Sequence, residues 1–365
     1  MRYALFLFAA LVAFILYMVG PPDPATSSGN YNFAYGTAMT TNDNKTWCIT
    51  NGAIGMQAQT RAIAQALGRK CTMKNVYVRE PFASIPNEVY NWWPKRYILP
   101  YVLDKTSDSL EGPYPELIIS CGRYGAMVAT ALRALHPSAK YINIQDPRMN
   151  SKYFDLVIPM EHDHMTGENV IPIRYALHTI TPESLAEAHT KFAKKFSVYS
   201  EPRVAVLLGG STNKYDFTTE AMAKVVMSLQ RLLSQTTASL LITPSRRTGD
   251  KRIEMLKALT GKYKERVYVY DGVEENPYMG MLAFADYIVV TNDSVNMMSE
   301  AAATGKPVYI LPMPGHENTK PSRFSEMLIR EGIARPLGSK LESWSYPIPN
   351  EMLRLAEEVK KRLGI

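Results

Sequence analysis

Short apolar runs of buried-strand length alternate along the chain with longer amphipathic stretches. That alternation predicts strands covered on both faces with helices between them. Strand-like runs occupy 47–50, 117–120, 141–145, 154–159 and 170–173, then 204–208, 240–243, 267–270, 287–291 and 308–311. Helical stretches occupy 56–67, 126–135, 182–197, 220–233, 277–284, 295–304, 321–330 and 351–363, with a further helix ending at 259. Such an order predicts the α/β class with two Rossmann-like domains. Ser200-Glu201-Pro202 breaks the pattern, which sets the expected domains at 46–199 and 200–345. The last helix, in 346–365, follows Pro347 and Pro349 and is expected to cross back to the first domain.

Two regions depart from the alternation. At 79–115, prolines interrupt it, and Tyr90, Trp92, Trp93, Tyr97 and Tyr101 crowd around Lys95 and Arg96. Aromatic and cationic residues together suit a membrane interface, a sugar-stacking face or a partner surface, or an insertion that packs its rings inward. At the N-terminus, Tyr3 to Val19 is uncharged and apolar over 17 residues, the lower limit for spanning a bilayer. No small-x-small cleavage site follows directly, so an uncleaved single-pass anchor over 1–20 is expected, with a Pro-, Ser-, Thr-, Asn- and Gly-rich tether over 21–45.

Composition narrows the partners. The 365 residues carry a formal net charge of +7, which favours acidic partners such as nucleotide phosphates or anionic lipid. The cations are dispersed, so nucleic acid is not an expected partner. Cys48, Cys71 and Cys121 are widely spaced and odd in number, which predicts buried free thiols rather than a disulfide framework.

The candidate chemistry gathers beyond strand ends, where open parallel sheets place their ligands. In the second domain three strands each run into a phosphate-friendly loop. Gly209-Gly210-Ser211 allows close backbone approach, Ser245-Arg246-Arg247 offers a hydroxyl and guanidinium forks, and Asn292-Asp293-Ser294 opens a helix. Each has a plain structural equivalent (a tight turn, solvated cations, a cap); their coincidence at one sheet edge argues for a nucleotide diphosphate. In the first domain Arg123, Asp146, Arg148, His162, Asp163 and His164 occupy the corresponding edge, and Asp146, His162 and Asp163 are the acid–base candidates. His162 and His164 alone are weak evidence for a metal, and none is expected.

The stretch Ser299 to Pro312, SEAAATGKPVYILP, resembles the donor-nucleotide motif of GT-B glycosyltransferases. Extended upstream through TNDSVNMM, and joined to QDPR and FDLVIPMEHD, it is similar to the mitochondrial fission "elongated mitochondria" family and its bacterial relatives. The resemblance covers most of 47–340. It implies a GT-B fold, two Rossmann-like domains facing a cleft, with Glu300 holding the donor ribose and the groups near Asp293 and Ser294 holding the phosphates. It implies a metal-independent transferase needing no cofactor beyond its donor substrate, a nucleotide diphosphate sugar. Asn51 stands where the family usually has an aspartate, which argues against an acid–base role there. The alternative it implies is a non-catalytic adaptor that brings a dynamin-related GTPase to a membrane. A third reading, an NAD-dependent epimerase, wants a G-x-G-x-x-G turn that neither glycine loop supplies. The expected location is a membrane: mitochondrial outer membrane or endomembrane in a eukaryote, inner membrane in a bacterium.

Overall fold

The computed structural model describes residues 45–365 except 94, 213–215, 314–316, 318 and 350. The anchor expected over 1–20, and the tether expected over 21–45 apart from its final residue, lie outside the described residues. No helix among the described residues is long and apolar enough to cross a membrane. The chain divides into two compact units, one made of residues up to Leu177 together with Glu351–Ile365, the other of His178–Asn350.

The first unit is built on β1 (Thr46–Thr50), α1 (Ile54–Ala66), β2 (Thr72–Asn75), the short α2 (Leu99–Val102), β3 (Leu117–Cys121), α3 (Gly122–Leu135), β4 (Lys140–Ile144) and β5 (Leu156–Ile158). Its five strands are all parallel, in the order β2-β1-β3-β4-β5. β1 and β3 are buried throughout, as expected of central strands with helices on both faces. The order reverses between β1 and β3, so the crevice at their carboxyl ends is this sheet's switch point. The sequence gives little sign of β2. It is a four-residue edge strand, TMKN, half-buried along its length, with no apolar run to mark it. The strand expected at 170–173 is instead two isolated bridges, Val157 with Val170 and Met160 with Ile173.

The aromatic stretch resolves into two populations. Phe82, Tyr90 and Trp93 are buried in the unit's core, whereas Trp92 is 79% exposed and Tyr97 65%. Arg123 holds the insertion to the sheet edge. Its Nε donates to Asn87 Oδ1 at 3.1 Å and its Nη2 to Ala83 O at 2.7 Å, and Asn87 Nδ2 donates back to Arg123 O and Pro147 O. Arg123 is therefore engaged in the fold, although the sequence placed it among functional candidates. The thiols divide as well. Cys48 and Cys121 are buried as expected, but Cys71 is only half-buried, and a hydrogen bond from the Cys48 thiol lowers its pKa to about 7.

The second unit carries α4 (Pro182–Phe196), β6 (Arg203–Leu208), α5 (Thr219–Gln235), β7 (Ser239–Pro244), α6 (Asp250–Lys262), β8 (Val267–Val269), α7 (Tyr278–Phe284), β9 (Tyr287–Thr291), α8 (Val295–Ala303), β10 (Val308–Leu311), α9 (Lys320–Arg330) and β11 (Ala334–Pro336). All six strands are parallel, in the order β11-β10-β9-β6-β7-β8. That is one strand more than the pattern showed. The addition, β11, is a short edge strand with its last two residues exposed. The division of the chain falls earlier than the Ser200-Glu201-Pro202 break. α4 opens with a capping box between Thr181 and Ser184 and packs on α7, where His189 stacks on Phe284 at 4.1 Å. Gly280 permits the approach, since a Cβ there would stand 2.5 Å from the Phe192 ring.

The terminal helix α10 (Glu351–Leu363) belongs to the first unit. Its first carboxylate, on Glu351, accepts from the backbone N–H groups of Arg174 and Tyr175, both at 2.7 Å. Leu355, Ala356, Val359 and Leu363 form its buried stripe.

Candidate functional site

In the second sheet the strand order reverses between β6 and β9, and the loops after these two strands flank that switch point. The loop after β7, the other neighbour of β6, joins them. The three predicted phosphate loops are thus brought together, tied by hydrogen bonds between them. Gly209 N–H donates to Thr291 Oγ1 at 2.8 Å, and Gly210 N–H to Asp293 Oδ2 at 3.0 Å. Arg247 Nη2 donates to the same carboxylate oxygen at 3.1 Å, and its Nη1 to Gly210 O and Ser211 O. Thr248 Oγ1 donates to Gly209 O at 2.6 Å. Asn292 Oδ1 accepts from Met313 N–H at 2.8 Å, which links this shelf to the end of β10.

The two glycines are required by this packing. A Cβ on Gly209 would lie 1.9 Å from the Asp293 carboxylate, and one on Gly210 would lie 2.2 Å from the Arg247 carbonyl carbon. Asp293 has no exposed side-chain surface, and its carboxylate is satisfied by Thr291, Gly210 and Arg247. Its negative charge would repel a phosphate; what it supplies is the shape of the glycine turn. Ser211 is likewise turned inward, with its hydroxyl on Asp216 and Phe217 N–H, and Ser245 accepts from Arg247 N–H. Two features face outward. Ser294 caps α8 through Met297 N–H, which presents the start of that helix at the sheet edge. Arg246 is exposed and has no hydrogen-bond or ion-pair partner among the described residues.

Glu300 stands outside this network, on α8. Its Oε2 accepts the Tyr278 hydroxyl from α7 at 2.5 Å. Burial lifts the Glu300 pKa to about 7, against the opposing pull of the Tyr278 hydrogen bond. Tyr278 in turn is pushed well above its ordinary value, first by burial and then by the carboxylate beside it. Near neutrality Glu300 therefore switches between donor and acceptor, a property suited to a group meeting a diol. Sequence reasoning missed Tyr278, which lies 22 residues upstream with no pattern linking it to Glu300. It also missed Thr291 and Thr248, whose hydroxyls do as much as the glycines to hold the turn; both sit at loop edges where a threonine reads as ordinary. Lys306, in the GKP of the motif, donates from Nζ to Leu282 O and Ala283 O at the end of α7. Burial depresses its pKa to about 8.

In the first unit, Asp146 follows β4, and His162 and Asp163 follow β5, the adjacent strand. Asp146 Oδ1 accepts from Arg148 N–H at 2.8 Å, and its Oδ2 lies 3.3 Å from Arg148 Nε. His162 Nε2 is 3.8 Å from Asp163 Oδ1. Three non-glycine residues among those described have left-handed backbone, Gln145 (φ 69°), Arg148 (55°) and His164 (52°), and all three bracket these candidates. Backbone held in this region costs energy and is concentrated at functional loops. Among the described residues no group of three His, Cys, Asp or Glu side chains could hold a metal ion.

Two parallel α/β sheets, the second with its phosphate-type loops at the switch point and the first with its candidate residues beyond β4 and β5, define a protein of the GT-B kind, glycosyltransferase-like in fold. The UDP-GlcNAc 2-epimerase of Methanocaldococcus jannaschii shares that fold, with a TM-score of 0.51 over 87% of this chain and 99% of that one at 12% identity. The chain belongs to the family described as mitochondrial fission ELM1, which matches residues 54–363. Mitochondrial fission protein ELM1 of Arabidopsis thaliana is 29% identical, over 72% of this chain and 67% of that protein. An uncharacterized protein of Rickettsia prowazekii (strain Madrid E) is 28% identical, over 87% of this chain and 98% of its own length.

Proposed function

We propose that this chain is a membrane-anchored transferase that moves a sugar from a nucleotide diphosphate sugar to an acceptor hydroxyl. The convergence of three loops on the β6/β9 switch point carries this reading. The diphosphate would meet the start of α8 at Ser294, the backbone of Gly209-Gly210-Ser211 and the exposed guanidinium of Arg246. Glu300 would take the ribose hydroxyls. Asp293, Asn292, Ser245 and Arg247 act by positioning these groups.

In an inverting displacement the acceptor oxygen attacks the anomeric carbon as its proton passes to a base. The bond to the diphosphate breaks, and the electron pair leaves with the phosphate oxygen. Asp146, His162 and Asp163 are the candidate bases, and Arg246 stabilises the charge developing on the leaving group. The apolar segment 3–19 would anchor the chain in its membrane. Release of nucleoside diphosphate from a panel of sugar donors, with mixed acceptor extracts, tests the chemistry. The expected result is turnover that a Glu300→Ala, Arg246→Ala double variant abolishes. Wild-type turnover in that variant would refute the assignment.

A second reading is favoured by the exposure of Trp92 and Tyr97 and by the named role of the Arabidopsis relative. It is an adaptor that recruits a dynamin-related GTPase. An adaptor would keep its recruiting function in the Glu300→Ala, Arg246→Ala variant and lose it when its contact face is changed.

A further inference from the structure

Trp92 is the most exposed of the four tryptophans: Trp47 is 2% exposed and Trp93 7%, and Trp344 is partly buried. It is also firmly held. Tyr90 donates its hydroxyl to Phe82 O at 2.8 Å, Tyr153 donates its own to Asn91 O at 3.1 Å, and Asn150 N–H donates to Asn91 Oδ1 at 3.1 Å. With the Arg123–Asn87 clamp, these bonds fix the short 3₁₀ turn Val89–Trp92, and half-buried Lys95, donating from Nζ to Asn91 O at 3.2 Å, ties the next turn, Lys95–Tyr97, to it. A loop this constrained presents its exposed rings in a fixed place instead of folding them inward.

The chemistry of the presented stretch is that of a bilayer interface. Tyr97 is exposed beside exposed Arg96, and Lys95 Nζ lies 3.9 Å from the centre of the Tyr153 ring. From Val89 to Leu103 the sequence holds two cations and no acidic residue. Indole and phenol rings settle at the headgroup level, and flanking cations are drawn to anionic lipid. The 44 residues preceding the described chain contain the apolar run 3–19 and then 24 residues of tether sequence, 21–44. A chain of that length and composition spans on the order of 25–30 Å, more than the roughly 17 Å length of a five-residue strand such as β1. The tether can therefore leave β1 at one edge of the sheet while the clamped aromatics, at the other, reach the same membrane.

We propose that Trp92, Lys95, Arg96 and Tyr97 form a second membrane contact that docks the first unit on an anionic lipid surface. This contact rests on the proposed anchor only for its proximity to the bilayer, and not on the transferase chemistry. The full chain, reconstituted in vesicles of phosphatidylcholine with brominated tails, tests it. Residues 1–44 contain no tryptophan, so emission reports the folded body alone. With phosphatidylserine included, part of the tryptophan emission should be quenched. The quenching should fall when salt is raised to 0.5 M (about a 4 Å Debye length), and most of it should vanish in Trp92→Phe. An Arg96→Glu, Lys95→Glu variant should lose the preference for phosphatidylserine. Equal quenching in wild type and Trp92→Phe, or none in either, overturns the docking face, including in favour of a protein partner there. Failure of the chain to float with vesicles at all would fault the anchor and is scored separately by flotation.

Discussion

The strand-end loops of the two units solve opposite problems. In the second unit the polar groups at the switch point are spent on one another: Asp293, Arg247, Thr291 and Thr248 fix the Gly209-Gly210 turn and leave Arg246 and the start of α8 facing outward. In the first unit Asp146 pairs with Arg148, and His162 Nε2 lies 3.8 Å from Asp163, in loops flanked by left-handed Gln145, Arg148 and His164. A phosphate site gains from rigid, inward-braced donors, because a diphosphate is bound by geometry that must exist before it arrives. A proton-transfer site needs groups that are reachable and only lightly engaged. Under the proposed function, the second unit's loops would bind the donor and the first unit's loops would carry the proton transfer.

That contrast makes a ranked set of expectations for stability. Gly210→Ala should cost the most, about 3 kcal/mol or more, because the added Cβ meets the backbone of Arg247 and cannot be accommodated by a side-chain shift. Asp293→Ala should cost about 2–3 kcal/mol by stranding the Gly210 N–H and part of Arg247; denaturant unfolding measures both. If either variant is neutral, the loops are not braced as described.

Glu300 gives the next effect. Its pKa in the folded chain, about 7, lies above its ordinary 4.5, so the folded state holds a proton that the unfolded state has released. The stabilising contribution is complete below about 4.5 and is lost as pH rises through about 7, a fall of about 3 kcal/mol. Glu300→Gln should flatten this segment of the stability–pH profile. An unchanged slope would remove the half-buried Glu300 carboxyl from the account. At the lower end, Arg246→Ala and Asp146→Asn should each move stability by no more than about 0.5 kcal/mol, since Arg246 has no partner among the described residues and an asparagine at 146 keeps the Oδ1 acceptor for Arg148 N–H. A loss above about 1 kcal/mol for Asp146→Asn would place it with the braced loops and break the contrast.

Central strands and helix caps were legible because burial on both faces leaves an unmistakable apolar run. The strand 287–291 and the helix 351–363 coincide with β9 and α10, and Gly305 has the positive φ, 71°, expected at a helix end. The edges β2 and β11 were not legible, because an edge strand needs little apolar surface and TMKN advertises none. The loops of the second unit were found by type, glycine, arginine and capping residues after strands. Their internal bookkeeping was not, since nothing in the residue order reveals that Asp293 faces Gly210 rather than a ligand. The Tyr278–Glu300 pair was equally silent, being a hydrogen bond between side chains of two different helices, α7 and α8.

The most direct test of the donor site is calorimetric titration of the full chain with nucleoside diphosphate sugars at pH 6 and pH 8. Sugar-linked diphosphates carry no proton that titrates in this range, so any pH dependence belongs to the protein. The account predicts that one donor class binds, and binds more tightly at pH 8, where Glu300 is ionised. It further predicts that Glu300→Gln removes the pH dependence and that Arg246→Ala weakens binding about tenfold, or 1.4 kcal/mol. No heat at millimolar donor, or binding indifferent to both substitutions, would contradict it.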